Sequence, residues 1–156
     1  MKREVLKTTF VAGTLDILGA FAYNYITRKT PPDIILRYIA SGLFGKTAFS
    51  GGSLYPLIGL VCHFLIVLSC VVVYFKLFRR VSLLRRSILL SALLIALVAW
   101  GVTTVVIIPL SKIGASSPGV SAALIAIAIL FFCIGLPISF FTRQYFKQSY
   151  ISRYRH

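Results

Sequence analysis

Two side chains stand where ionisable groups are costly: Asp16, inside the apolar stretch 8–26, and His63, inside the apolar stretch 54–75. A carboxylate at the centre of a membrane helix costs about 2.5 to 3.5 kcal/mol, so it is expected to face protein instead of lipid. Counted from Lys7, Asp16 lies about 14 Å up its helix, and counted from Leu54, His63 lies about 14 Å down the next. In a hydrocarbon core of about 30 Å the two depths nearly coincide, so antiparallel neighbours would bring the groups together. Three kinds of chemistry are open to such a pair. It can act as a buried hydrogen bond joining two helices, contributing about 0.6 to 2 kcal/mol. It can act as a proton or ion relay. It can also ligate a haem or pigment through the imidazole, oriented by a second group. A relay needs further polar steps, and Thr14, Tyr23, Asn24 and Tyr55 offer an outward branch; the inward branch is thin. A lone histidine with no second one at matching depth does not make a haem site, and no cofactor is expected.

The other reactive groups point to packing. Cys62, Cys70 and Cys133 all fall within apolar stretches and form neither a disulfide framework nor a zinc pattern. Ala40 to Thr47 reads A-S-G-L-F-G-K-T, a loose fit to a phosphate-binding loop. That loop requires a strand feeding it and a helix leaving it. Here a helical pattern runs in, and no acidic residue follows for magnesium, so the match is read as accidental and Lys46 as a headgroup or surface contact. Three acids in all, Glu4, Asp16 and Asp33, are too few for the clustered carboxylates and histidines of lipid-acting enzymes. No catalytic or metal-ligating residue is assigned.

The elements that must position the pair follow from composition. The chain is 58% hydrophobic and 13% charged, with mean hydropathy +0.92, which excludes a soluble domain and a disordered one. Seventeen Lys and Arg against three acids give +14, but these charges flank apolar runs instead of lining a face, so nucleic acid is not the expected partner. Four stretches are long enough to span: 8–26, 54–75, 87–110 ending at Pro109, and 118–141 with Pro137 near its end. The expected fold is an all-α four-transmembrane-helix bundle forming a single integral membrane domain. Basic residues divide 12 to 5 between the two sides, the 12 lying with the termini and the 76–86 connection. Both termini are therefore expected in the cytoplasm of a bacterial inner membrane. The first span is expected to be a retained helix, not a cleaved signal peptide.

The connection between the first two spans is apolar, and residues 31–50 are expected to form a short amphipathic or re-entrant helix. Thr30 is placed to cap it, with Pro31 at the first helical position and Asp33 in the first turn. Gly42, Gly45, Gly51 and Gly52 punctuate the return, making this segment either a lid on the bundle or, with Lys46, the wall of a site. In the later spans, Ala92 with Ala96 and Ala122 with Ala126 mark close-packing seams. The tail from Thr142 is basic and aromatic, suited to an anionic leaflet or a partner protein. Membrane lipids, a second copy of the chain or a larger membrane complex are the expected partners.

The strings G-T-L-D-I, I-L-R-Y-I-A-S-G-L-F-G-K-T-A-F-S-G-G and G-L-V-C-H-F resemble a pattern of small four-span bacterial inner-membrane proteins, distantly similar to the YagU-like group. The resemblance covers residues 13–75, with I-I-P-L-S in the second half. It singles out Gly13, Asp16, Gly42, Gly45, Phe49, Gly51, Gly52, Gly59, His63 and Pro109, implies the fold and the site, and carries no activity. The chain then reads as a non-catalytic accessory or scaffold component, or as a proton-linked transporter or ion-conducting oligomer built on Asp16 and His63.

Overall fold

A computed structural model describes the backbone of residues 1–107 and 119–153, and the side chains of 1–104 and 119–148. Within these residues the regular structure is entirely helical: α1 (Lys2–Arg28), α2 (Pro32–Phe44), α3 (Thr47–Ser50), α4 (Leu54–Arg80), α5 (Leu83–Arg86), α6 (Ile88–Gly101), α7 (Val120–Leu130) and α8 (Leu136–Arg153). A π-helical turn, Val102–Ile107, extends α6, and another, Phe131–Gly135, joins α7 to α8. Three helical runs are long and apolar enough to cross a membrane: Lys2–Arg28, Leu54–Arg80 and Val120–Gln148. The run Ile88–Thr104 is apolar but shorter. The expected end of the third span at Pro109 and Leu110, the start of the fourth at Pro118, and Lys112 lie outside the described residues.

The helices turn large apolar side chains outward. Phe10 and Phe132 are 67% and 65% exposed, while Ala12, Ala92 and Ala96 are fully buried. Water would penalise that arrangement, whereas lipid tails solvate it and leave small residues to bring backbones together. Pairings are α1 with α4, α1 with the α7–α8 run, and that run with α6. A core of Val67, Val71, Phe75 and Phe78 from α4 meets Ile134 and Ile138 of the last run. The π turn precedes Pro137, which has no N–H for the carbonyl of Cys133 and whose ring would strike it. Widening the helix there accommodates both effects.

Segment 31–50 folds back along the start of α4. Its entry differs from the capping expected at Thr30. The N–H of Thr30 bonds to the carbonyl of Asn24 and so helps to close α1, leaving Pro31 as the cap and Pro32 as the first helical residue. Asp33 does not cap; it pairs with Arg37 one turn on, Oδ2 to Nε 3.7 Å. Arg37 then fixes the return, its Nη1 donating to the carbonyls of Ala48 at 3.0 Å and Gly51 at 2.9 Å. The phosphate-loop reading fails on geometry as well. Residues 40–44 are the last turn of α2, not a strand, and the helix stops at Gly45, whose φ of 62° suits glycine.

Candidate functional site

His63 is buried on the face of α4 that meets α1. Its Nε2 lies 2.9 Å from the carbonyl oxygen of Gly13. A carbonyl only accepts, so Nε2 carries the proton and donates it. Nδ1 is thereby turned toward Asp16, 4.0 Å from Oδ2. That separation is within reach of an ion pair and about 1 Å beyond a direct hydrogen bond. A proton passing between the two groups therefore needs a small closure of the gap or one bridging water. Both nitrogens of the ring face α1, one bonded to its backbone and the other 4.0 Å from its acid.

Glycine at position 13 leaves room beside this contact for a neighbouring ring. A Cβ there would sit 2.6 Å from Cε1 of Phe64, the neighbour of His63 on α4. Phe64 in turn lies edge-on to the imidazole, with centroids 5.4 Å apart, and stacks on Phe10 of α1. On the opposite flank of α1, Gly19 lets Sγ of Cys133 come close, so the last helical run lies against the turn that follows Asp16. Asp16 is thus largely covered by protein, with 16% of its side chain left exposed.

The expected outward branch is not assembled. Asn24 stands about 12 Å beyond Asp16 on the same helix, and its amide donates to the carbonyl of Ala20 at 2.9 Å. Tyr55 is about 12 Å from His63 along α4 and lies edge-on to Phe44. Thr14 is half-buried two residues before Asp16. Of the loop residues, Gly42 is half-buried within α2, Lys46 is exposed, Gly52 borders open space, and Gly51 is covered by the ring of Tyr55. These residues build a packed lid over the start of α4 and do not surround the pair.

Four buried hydroxyls escaped the sequence reading. Thr8, Tyr74, Ser139 and Thr142 are each at most 5% exposed, and none of their hydroxyl oxygens has a hydrogen-bond partner among the described residues. They lie on α1, α4 and α8, toward the end of the molecule where Lys7 stacks on Phe141 and Phe75 meets Tyr145. A hydroxyl buried without a partner costs about 1 to 3 kcal/mol, which internal water can relieve. Thr, Ser and Tyr are common in membrane helices, so their types alone gave no signal. Among the described residues no group of three or more His, Cys, Asp and Glu is placed to hold a metal ion. Compared with protein-family models, curated proteins and solved structures, the chain matches none.

Proposed function

We propose that this chain is a small polytopic protein of a bacterial inner membrane, crossing it four times with both termini in the cytoplasm. In this reading it serves as a non-catalytic accessory or scaffold component, and its buried Asp–His pair fastens α1 to α4. The observation that carries the reading is the 2.9 Å bond from the His63 ring to the Gly13 carbonyl, with Asp16 of the same helix facing the other nitrogen at 4.0 Å. A ring bonded to the backbone of a neighbouring helix suits a permanent joint. Native mass spectrometry after mild detergent extraction tests it: the chain should leave the membrane with other copies of itself or with a larger complex. Recovery as a bare monomer from membranes containing all its neighbours would count against a scaffold.

A second reading, proton-linked transport by an oligomer, draws on the four unpartnered hydroxyls. Thr8 is about 7 Å from Gly13 along α1 and Tyr74 about 16 Å from His63 along α4. They supply polar steps on the side where the sequence offered few. Proteoliposomes under a pH gradient separate the readings. Flux that falls to background in Asp16→Asn favours transport; equal background leakage in both proteins leaves the joint.

A further inference from the structure

At the end of the molecule where α4 stops and α8 passes, two arginine side chains are held on backbone carbonyls. Nη1 of Arg85 donates to the carbonyl of Arg79 at 3.3 Å, and Nη2 of Arg143 donates to the carbonyl of Arg85 at 2.8 Å. Each of these bonds ends on a neutral carbonyl, so the charges of Arg85 and Arg143 stand beside this turn without neutralisation. The chain has three acids to offer. Asp16 faces His63, Asp33 faces Arg37, and Glu4 lies in the first turn of α1; among the described residues none pairs with these arginines. A guanidinium carries five N–H donors, so Arg85 and Arg143 each retain several after the bond to backbone.

The turn is also rigid. Leu84 is buried beneath it, and the buried hydroxyl of Ser91 donates to the Leu84 carbonyl at 2.6 Å. Beside the arginines, Leu77, Val81 and Leu83 are 43%, 37% and 43% exposed. A preformed fork of cations next to exposed aliphatic side chains matches a molecule with an anionic phosphate at one end and hydrocarbon at the other. Arginine suits the phosphate, since its planar donors engage two oxygens at once.

We propose that Arg85 and Arg143 form a binding site for the phosphodiester headgroup of an anionic phospholipid, whose acyl chains lie along Leu77, Val81 and Leu83. The site rests on the membrane reading above and is independent of what the Asp–His pair does. It fixes a lipid to the joint between the α4 end and α8, so an occupied site braces the two halves of the molecule.

The test uses the full chain in mixed micelles holding equal amounts of phosphatidylglycerol and phosphatidylcholine, with retained lipids counted by native mass spectrometry. Wild type should retain phosphatidylglycerol preferentially. Each cation near an anionic surface contributes about 1 kcal/mol, so R85Q/R143Q should lose about thirtyfold in that preference. R85K/R143K keeps the charge but not the fork and should fall between. R28Q/K46Q, which removes two exposed cations at the opposite end, should match wild type. Equal retention of the two lipids by wild type, an equal loss in R28Q/K46Q, or full displacement by inorganic phosphate would each overturn the site. The wild-type comparison decides the matter even where a variant folds poorly. A chain that carries no lipid of either kind and stays monodisperse in buffer would instead refute the membrane reading.

Discussion

Between α1 and α4, helices meet through a polar contact: the imidazole of His63 reaches the backbone carbonyl of Gly13 and faces Asp16. Between α6 and the turn that opens α8, they meet through close packing, with Gly135 seated on the backbone of Ala92. The first interface depends on which groups are present, and the second on how little room they take. Removing an atom should therefore damage the first, and adding one should damage the second. The lid follows the second rule: Gly59 of α4 lies against the backbone of Leu36 on α2.

The largest effect is expected from widening the bulk-limited seam. In Gly135→Val the new side chain would overlap the Ala92 carbonyl, a backbone atom that cannot turn aside. Separating α6 from α8 should cost about 3 kcal/mol, at the upper end of overpacking penalties, read as a lowered Tm in detergent. Gly59→Ala should cost about 2 kcal/mol by pushing α2 off α4, and limited proteolysis should then cut 31–53 faster while the rest of the chain resists. An unchanged Tm for Gly135→Val would show that the seam has slack, and the contrast between interfaces would fail.

At the polar interface, His63→Ala should destabilise by about 1 to 2 kcal/mol, the upper range for interhelical hydrogen bonds in membranes. Asp16→Asn should cost less, because at 4.0 Å its partner is not hydrogen-bonded to it. A double-mutant cycle sharpens the point: His63 and Asp16 should couple by about 0.5 kcal/mol or more, while His63 and Gly135, which share no partner, should add independently. Coupling near zero for the first pair would mean that the Gly13 carbonyl alone holds the ring.

Much of this division was legible in the sequence. Counting residues from the basic ends set Asp16 and His63 at one depth, because a helix rises by a constant amount per residue and the bilayer fixes the origin. Ala92 and Ala96 were readable as a seam, and Gly135 is the residue that lies against the Ala92 backbone, while Ala122 and Ala126 are only half-buried. The Gly13 carbonyl was invisible as an acceptor, because every residue carries one and only the fold selects which is left reachable. The arginine cluster was hidden for another reason: Arg143 and Arg85 are 58 positions apart and meet through backbone, which leaves no complementary charge to find.

The smallest expected effect has the opposite sign and lies at neither interface. Lys29 closes α1 in the left-handed conformation, φ 53°, the one non-glycine residue among those described with positive φ. Its N–H bonds to the Tyr25 carbonyl at 3.1 Å, the single five-to-one closure of a left-handed helix end where glycine ordinarily stands. A side chain in this conformation crowds its own backbone, at a cost of about 1 kcal/mol. Lys29→Gly should remove that cost but increase the freedom of the unfolded chain, for a net gain of about 0.5 kcal/mol. The substitution also gives up the exposed ammonium that lies over the Tyr25 ring, 5.5 Å from its centroid. A rise in Tm of a degree or two with unchanged lipid retention would place the effect at the helix end; a fall would mean that the cation holds the α1–α2 connection by more than its backbone geometry.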